Sequence, residues 1–446
     1  MSDEYTHLAE ALKKSTGAHV RVGGPPETDF GNVVHGTNSV VARASTAEQL
    51  RAIVQFAAEQ KRKITMRGAR HSCRGQTLAD DAILVDYFDP DLVAMERRSE
   101  TDFEISAAMS WETLERELNA VGRSCPVLTK PFDFAVGGTL SVGGYGNRSV
   151  CSGAQVDHVR SVALILPSGE RRVVSPANEP ELFSYALCGL GQVGAIESVV
   201  LRTVPKKESS DLLWFDHEEP AEIEDVLDRI ESDPGAPIDE YNSVIFPNQV
   251  ATWVRLSPSE YRIEDDTCVL RNGTRLAPNE VEETDGNPFD EGNNVHNWAV
   301  ERHARHRRLW TDYKLAPAAA RELLRFVTGP SMPRRAEATY VMAIRLGLSP
   351  VRFPLSTVAH VEGPFAVSVG TFHMVAPGDE QDLARAKEAL RRTLARAIEL
   401  GGRPYLYGWN ELDDATKSKI YGAGYARLVA LKRELDPHHR FNATSF

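Results

Sequence analysis

Three glycine-rich clusters in the first half of the chain carry the strongest chemical signal. They are Arg67-Gly68-Ala69-Arg70-His71-Ser72, Val136-Gly137-Gly138-Thr139-Leu140-Ser141 and Gly189-Leu190-Gly191-Gln192-Val193-Gly194. Glycine lets a backbone approach a ligand closely, and consecutive N–H groups can form a nest that binds anions. One cluster alone is usually a tight turn, but three together favour an extended ligand that carries phosphate.

The third cluster also has the GxGxxG spacing of a dinucleotide-binding turn. In a Rossmann turn those glycines open a helix. Here the residues that follow, 197–204, have the pattern of a strand. The sequence therefore does not predict a Rossmann site.

His71 is the ionisable side chain of these clusters that could act as a nucleophile or a base. It lies in a polar loop directly after a short predicted strand. A lone loop histidine is usually solvated or structural. Next to an anion-facing loop, its imidazole could instead be a base or a covalent tether. Both roles stay open.

The elements that must position these loops alternate between strands and helices in the first half. Residues 45–60 are predicted as a helix that begins with a capping box of Ser45 and Glu48. Residues 162–166 and 171–174 flank a hairpin turn.

A second region begins near residue 206, where this rhythm changes. Residues 338–346 and 365–374 are predicted as long strands. Residues 277–297 are rich in Glu, Asp, Asn and Gly and are predicted to form a mobile loop.

The composition excludes several classes of protein. The chain has 446 residues with 51 Lys+Arg and 63 Asp+Glu, and its net charge of −12 disfavours nucleic acid as a partner. The 42% hydrophobic content is typical of a globular protein, and no apolar run of about 18 residues predicts a membrane span. The chain shows no signal-peptide pattern, and five scattered cysteines favour a cytoplasmic location. His303 and His306 lack carboxylates or thiols at metal-ligand spacing, so no metal site is predicted.

Taken in order, the motifs resemble those of FAD-linked oxidoreductases of the vanillyl-alcohol oxidase/p-cresol methylhydroxylase superfamily, and most of all the cytokinin dehydrogenases. The first two clusters resemble the family's RGxGHSxxGQ and VGGTLS motifs, and the third resembles GLGQFGII. Further matches are Asp29-Phe30-Gly31-Asn32, Gly75-Gln76, Gly153-x-Gln155, Ile196, Tyr405-Leu406, Lys432 and Asp436-Pro437. The resemblance covers residues 29–205 and 403–446, whereas 206–402 match only in strand rhythm.

This resemblance implies an α+β fold with a PCMH-type FAD-binding domain in two parts and a substrate cap that carries an antiparallel sheet. Residues 1–205 would form the FAD-binding domain, 206–402 the cap, and 403–446 a return segment that completes the first domain. The cofactor would be FAD, covalently attached through His71. The implied FAD contacts are Arg67, Gly68, Ala69, Arg70, His71, Ser72, Gln76, Gly137, Gly138, Thr139, Ser141, Gly144, Gln155, Gly191, Gly194, Ile196 and Tyr405.

Three positions depart from the family pattern. Arg70 stands where the family has glycine, which could alter the approach to phosphate. Pro131 stands where some relatives have a second attachment cysteine, so a double attachment is not expected. Lys130 replaces the catalytic aspartate of cytokinin dehydrogenases, which argues against cytokinin as the substrate.

The implied reaction is FAD-dependent oxidation of a small-molecule amine C–N bond, with hydride transfer to flavin N5. Alcohol or sugar oxidation and oxidative cyclisation on the same fold are the alternatives, and a flavin-binding protein without activity is a further one. Oxygen or another acceptor would reoxidise the flavin. The candidate proton acceptors are Tyr407, His373, Asp133 and Lys130, and at least one is expected within about 6 Å of flavin N5. The sequence leaves the oligomeric state open.

Overall fold

The computed structural model describes residues 3–23, 27–36, 40–78, 81–233, 235–284 and 305–442. Within these ranges the α-helices are α1 (Asp3–Thr16), α2 (Ala47–Glu59), α3 (Trp111–Asn119), α4 (Val136–Leu140), α5 (Ser149–Ser152), α6 (Pro180–Ala186), α7 (Ile223–Glu231), α8 (Pro317–Thr328), α9 (Glu380–Glu399), α10 (Asp414–Tyr421) and α11 (Ala423–Leu435).

The strands fall into six sheets. They are β1 (His19–Val22), β2 (Glu27–Thr28), β3 (His35–Gly36), β4 (Val40–Arg43), β5 (Ile64–Arg67), β6 (Ile83–Asp86), β7 (Met95–Arg97), β8 (Asp102–Ser106), β9 (Arg123–Ser124), β10 (Val159–Ile165), β11 (Arg171–Val174), β12 (Ala195–Arg202), β13 (Val204–Pro205), β14 (Ser210–His217), β15 (Ile238–Phe246), β16 (Gln249–Leu256), β17 (Tyr261–Glu264), β18 (Thr267–Leu270), β19 (Arg275–Leu276), β20 (Glu280–Thr284), β21 (Arg307–Leu315), β22 (Ala338–Arg345), β23 (Phe365–Val375) and β24 (Arg403–Pro404).

Helix α2 illustrates how sequence sets these elements. Its buried face is Leu50, Ile53, Val54, Phe56 and Ala57, at helical spacing. The cap is Thr46, whose side chain accepts the Gln49 N–H at 3.2 Å, and not Ser45 as predicted. The prediction was wrong by one residue: the helix begins at Ala47, and the capping partner of Thr46 is Gln49, whose side chain also accepts the Ser45 N–H at 2.9 Å.

Two sheets build the first part of the molecule. One has the order β1-β4-β6-β5, with β4, β6 and β5 parallel, and the other is antiparallel with the order β11-β10-β12-β8-β7. The hairpin of β10 and β11 confirms the prediction for residues 162–174. The loop that carries His71 begins directly after β5, at the carboxyl end of the parallel strands.

The second part is an eight-stranded antiparallel sheet, as predicted for the cap, with the order β20-β14-β16-β15-β22-β23-β21-β24. One face packs against α7, α8 and α9 through residues such as Tyr313 and Val341. Neighbouring positions on β21 and β22 face the first part of the molecule. Met342 and Ile344 share the core of the first part, so the two parts are packed together. The boundaries at 205 and 402 stay a prediction.

The structure can also be compared with the predictions for the loop at 277–297 and for membrane spans. Residues 280–284 of the predicted mobile loop form β20, which pairs with β14, so that part of the prediction was wrong. Residues 285–297 lie outside the described residues. No helix in the described part of the chain is long and apolar enough to cross a membrane.

Candidate functional site

A cavity of about 320 Å³ lies between the glycine loops and the open face of the eight-stranded sheet. Most of the residues predicted to contact FAD line it. They are Arg67, Gly68, Ala69, Arg70, His71, Ser72, Gln76, Gly137, Gly138, Thr139, Ser141, Gly191, Gly194, Ile196 and Tyr405. The structure thus brings all three glycine clusters to one place.

Gly144 and Gln155 do not line the cavity but support its wall. The Gly144 N–H donates to the Tyr405 hydroxyl at 3.1 Å, and the Gln155 N–H donates to the Gly144 carbonyl at 2.8 Å. A Cβ at residue 144 would overlap the Gln155 amide, so glycine is required there. Their predicted contact with the cofactor has no support from this placement.

The His71 loop is anchored by Asp29. Asp29 Oδ2 accepts the Gly75 N–H at 2.6 Å and the Ser72 hydroxyl at 3.0 Å. Burial raises the pKa of this carboxyl to about 6, although the hydrogen bonds oppose the shift. The anchor leaves the Gly68 and Ala69 N–H groups without an acceptor among the described residues, at the cavity wall.

Arg70 occupies the position where the family has glycine. Its φ is +66°, in the left-handed region that glycine adopts readily. The guanidinium turns away from the backbone toward Glu27 and Asp86, at 3.3 and 3.5 Å. The loop therefore keeps the glycine-like path, and the side chain does not fill the nest.

His71 lies at the end of this loop and lines the cavity. Its ring packs against Phe30 and Phe134, with ring centroids 5.3 and 4.1 Å away. Its Nε2 is 3.7 Å from Asp133 Oδ1. Asp133 itself is half exposed and does not line the cavity, so of this pair the imidazole is the group that faces a ligand.

Tyr407 and Asp312 form a hydrogen-bonded pair on the cavity wall. The Tyr407 hydroxyl donates to Asp312 Oδ2 at 2.7 Å. Burial, with Asp312 as a second cause, raises the pKa of Tyr407 well above its usual value. Opposite Asp312 in the sheet stands Gly370, where a Cβ would overlap Asp312 Oδ1. The space left by Gly370 holds the carboxylate.

Lys314 lies two positions further along β21 and also lines the cavity. It is 1% exposed, and its Nζ donates to Ser368 Oγ at 2.9 Å. The Nζ atom lies 4.4 Å from the centre of the Tyr405 ring and 5.1 Å from that of Tyr145. Burial lowers the pKa of Lys314 to about 8, against the opposing charge of Asp312.

Lys130 forms part of the cavity wall that the 129–134 segment contributes. Its Nζ lies 4.0 Å from Glu240 Oε1, a buried carboxylate that also accepts the Trp253 indole N–H at 3.2 Å. Burial lowers the pKa of Lys130, although Glu240 opposes this. Tyr340 donates to Asn242 on the same strand as Glu240. These contacts hold Lys130, Trp253 and Tyr340 in fixed positions.

Aromatic rings of the cap cover much of the remaining wall. They are Trp253, Trp310, Tyr340 and Phe372. Trp310 and Phe372 stack with their centroids 4.6 Å apart. Such a wall suits a flat or ring-shaped small molecule, because apolar ring faces exclude water and bind other ring faces.

The structure does not bring His373 to the cavity. Phe372 on β23 faces the cavity, so the adjacent His373 points to the opposite side of the sheet. There it is 1% exposed, and its Nδ1 lies 2.9 Å from Arg334 Nη1. Burial, with Arg334 as a second cause, lowers its pKa to about 3. This placement contradicts the prediction of His373 as a base, because its imidazole faces Arg334 and not the cavity.

Asp312, Lys314 and Glu240 were missed by the sequence analysis. The available signal was weak: Asp312 and Lys314 are charged residues two positions apart in the strand Trp310-Thr311-Asp312-Tyr313-Lys314, and Glu240 is a charged residue within strand β15. In a strand with both faces covered, such a residue must face a partner or a cavity.

Comparisons with known proteins agree with this arrangement. Residues 38–175 match the family described as "FAD binding domain". The fold is that of chitooligosaccharide oxidase, with a TM-score of 0.75 and 15% identity over 98% of this chain and 98% of that one. The chain thus carries an FAD-binding domain and shares its fold with an oxidase, which agrees with the predicted resemblance to FAD-linked oxidoreductases.

Three curated relatives match part of the chain. An uncharacterized oxidoreductase, ORF5 of the fasciation locus of Rhodococcoides fascians, is 33% identical over 41% of this chain and 41% of its own length. Cytokinin dehydrogenase 2 of Arabidopsis thaliana is 32% identical over 42% of this chain and 37% of its length. Cytokinin dehydrogenase 3 of Oryza sativa subsp. japonica is 30% identical over 40% of this chain and 36% of its length. The chain thus matches about two fifths of the length of these relatives.

The residues present fit FAD, the cofactor of this domain. The Gly68 and Ala69 amides can donate to a diphosphate, as the nest geometry requires. A Cβ at Gly68 would lie 2.9 Å from the Ala135 Cβ, and one at Gly137 would lie 2.9 Å from the Ala107 Cβ. Only glycine lets the loops approach this closely, so the cradle depends on these residues.

Proposed function

We propose that the protein is an FAD-dependent oxidoreductase that oxidises a CH–OH group of a small molecule held in the aromatic cavity. The observation that supports this most is the Tyr407–Asp312 hydrogen bond of 2.7 Å on the wall of the cavity that the glycine loops also line. FAD, when bound, supplies the acceptor for the hydride.

The Tyr407–Asp312 pair is suited to take the proton of the substrate hydroxyl. Tyr407 donates its own hydrogen to Asp312, so the lone pairs of its oxygen are available to accept a hydrogen bond from the substrate. As the substrate O–H proton moves to Tyr407, the Tyr407 proton moves to the Asp312 carboxylate. This relay gives Tyr407 the role of general base without leaving a buried phenolate.

A proton acceptor favours an alcohol over an amine. An alcohol that loses hydride must also lose its O–H proton to become a carbonyl. A neutral amine can lose hydride with the help of its nitrogen lone pair and forms an iminium ion without a base.

Amine oxidation, the first hypothesis from the sequence, is the second candidate function. It is supported by the similarity to cytokinin dehydrogenases at 30–32% identity. One experiment can distinguish alcohol oxidation from amine oxidation, because alcohols and amines of the same carbon skeleton differ only in the bond that is oxidised.

The experiment is anaerobic reduction of the protein-bound flavin by a panel of primary and secondary alcohols, sugars and amines of matched carbon skeleton. We expect reduction by alcohols or sugars, and Tyr407→Phe should slow it by about 10²–10⁴-fold while FAD stays bound. Tyr185→Phe is the matched control, because Tyr185 is a buried tyrosine whose hydroxyl binds Gly424 O outside the cavity. Reduction by amines alone, or no slowing in Tyr407→Phe, would reject the proposal.

We further propose, from the family resemblance and the place of His71 at the cavity wall, that His71 is the covalent attachment point of FAD. The flavin should then stay with the protein after acid precipitation, and His71→Ala should release it into the supernatant. His158→Ala serves as the control, because His158 is a partly buried histidine bound to Ser152 O outside the cavity. Quantitative release of FAD from the wild type would contradict the attachment.

A further inference from the structure

Lys314 is a buried ionisable group of the cavity that the proposed reaction does not use. In the described part of the chain its Nζ donates to Ser368 Oγ and lies over the rings of Tyr405 and Tyr145. Among the described residues, no carboxylate oxygen lies within 4.0 Å of this Nζ, so Lys314 forms no direct ion pair there. A charged lysine that is buried in this way costs free energy, so its presence here needs an explanation.

The place of Lys314 relative to the proton relay supplies that reason. Lys314 and Asp312 are separated by one residue on β21, so both side chains leave the same face, about 7 Å apart along the strand. Tyr405, which Lys314 covers, packs edge-on against Tyr407 with ring centroids 5.0 Å apart. Lys314 is therefore the next residue after Asp312 on this face of β21, and the Tyr405 ring contacts both Lys314 and Tyr407.

We propose that Lys314 is a positioning residue of the relay, whose positive charge keeps Asp312 ionised inside the cavity so that Tyr407 can pass a proton to it. This inference rests on the proposed function of the Tyr407–Asp312 pair. It assigns to Lys314 an electrostatic role rather than contact with the substrate.

The burial of Asp312 explains why a cation is needed. Asp312 is 7% exposed, and a carboxylate removed from water is disfavoured unless charges or hydrogen bonds compensate. The Tyr407 hydroxyl supplies one neutral hydrogen bond. Lys314 supplies the opposite charge at all pH values below about 8, the pKa to which burial lowers it.

Other titratable groups near the relay do not replace Lys314. They are Tyr405, Tyr145, Tyr340, Cys73, Cys188 and Glu240. Burial raises the pKa of each of these tyrosines and cysteines, so they are neutral near pH 7. Glu240 has Lys130 and Arg255 as its ion-pair neighbours.

The test is the pH dependence of anaerobic flavin reduction in the FAD-loaded protein. In K314M and K314Q the acid limb of the profile should move up by about one pH unit, so that the rate below that limb falls about tenfold relative to the wild type. K314R keeps the charge and should keep the wild-type limb. K387M is the matched control, because Lys387 lies 5.0 Å from the Trp409 ring outside the cavity.

A second readout does not depend on turnover. Infrared spectra of the same proteins without substrate should show a protonated carboxylic acid band in K314M at a pH where the wild type shows none. The band should vanish in the double variant D312N/K314M. A merely structural role of Lys314 would not create a protonated Asp312.

The inference is overturned if K314M and K314Q bind FAD but keep the wild-type acid limb, or if K314M lacks the Asp312 band. Should both neutral variants fail to fold, K314R decides: a limb that moves up despite bound FAD overturns the proposal, and an unmoved limb supports it. Failure of the proposed function gives a different result, because Tyr407→Phe would then leave flavin reduction unchanged.

Discussion

At Arg70, a residue with a large side chain keeps the backbone path of a glycine. A φ of +66° costs about 1–2 kcal/mol for a residue with a Cβ. The ion pairs with Glu27 and Asp86 are long and half exposed, and such pairs contribute about 0–1 kcal/mol. The strain is therefore only partly offset.

We predict that Arg70→Gly leaves the free energy of unfolding within about 1 kcal/mol of the wild type, because relief of strain offsets the lost ion pairs and the larger entropy of the unfolded chain. Arg70→Val should lower it by about 1–3 kcal/mol, because a β-branched residue adopts positive φ at higher cost. Urea denaturation of both variants measures the difference. Arg74, which lies in the same loop but has no positive φ, is the control. There the glycine variant should not have a higher free energy of unfolding than the valine variant. Arg70→Gly less stable than Arg70→Val would refute the argument.

Asp29 is a single residue that should make the free energy of unfolding depend on pH. Its pKa is about 6 in the folded protein and 3.8 in the reference state, so the folded protein holds the proton more tightly between these values. The contribution of Asp29 to stability therefore falls as the pH rises from about 4 to about 6. The free energy of unfolding of Asp29→Asn, relative to the wild type, should rise over this range by up to about 3 kcal/mol.

Urea denaturation at several pH values between 4 and 7 measures this change. The exposed Asp91→Asn is the control and should show no comparable slope. A constant difference between Asp29→Asn and the wild type would show that Asp29 is ionised alike in both states.

The candidate site was only partly predictable from single residues. The glycine clusters and His71 follow motifs that are continuous in sequence, and the structure gathers them at one cavity. Asp312 and Lys314 belong to no such motif, since their position depends on strand pairing with β23 and on the return of Tyr407 from about 95 residues further along the chain. The prediction of His373 as a base was wrong, because alternation along β23 sends Phe372 to the cavity and His373 to the opposite face.

At the scale of elements, the pairing of β21 with β23 sets the geometry of the proton relay. Asp312 and Gly370 are directly opposite in the register, and the missing side chain of Gly370 leaves the space for the carboxylate. The absence of a side chain at Gly370 on one strand thus allows the Asp312 side chain on the paired strand to occupy its position.

We predict that Gly370→Ala pushes Asp312 away from Tyr407. It should lower the free energy of unfolding by about 1–3 kcal/mol through overpacking and slow anaerobic flavin reduction at least tenfold. Gly235→Ala is the control, because its Cβ would meet no atom closer than 3.5 Å. Unchanged flavin reduction in a folded Gly370→Ala protein would show that the Asp312 position is not critical.

Element types were predicted better than element limits. The long strands at 338–346 and 365–374 and the hairpin are present because their apolar pattern is strong over many residues. The cap of α2 and strand β20 were missed because neighbouring polar residues compete for the same hydrogen bonds, and an edge strand with an exposed polar pattern looks like a loop.

At the scale of the whole molecule, residues 440–442 close the first part. The Ile64 N–H donates to the Arg440 carbonyl at 2.8 Å, and the Asn442 N–H donates to the Ile64 carbonyl at 2.9 Å, beside β5. The Phe441 side chain is 1% exposed in the core of the first part. The strand that leads into the His71 loop therefore has its outer edge covered by a distant segment.

We predict that Phe441→Ala lowers the free energy of unfolding by about 3–5 kcal/mol, because it leaves a cavity next to β5. It should also weaken FAD binding, since the loop after β5 loses its support. Denaturation curves and the fraction of FAD retained after gel filtration measure the two effects. Val121→Ala, at a half-exposed position, should change stability by less than about 0.5 kcal/mol. Full FAD retention in a strongly destabilised Phe441→Ala protein would show that FAD binding by the loop after β5 does not depend on the packing of Phe441.

The cover that residues 440–442 give to β5 has a consequence for how the protein is made. A ribosome adds about 5–20 residues per second, so some 12–50 seconds separate the synthesis of residue 205 from that of residue 441. During this time the apolar edge at Ile64 and the core pocket for Phe441 are open to water and to other chains. We therefore expect the first part of the nascent chain to complete its fold, and to capture FAD, only after residues 440–442 have emerged from the ribosome.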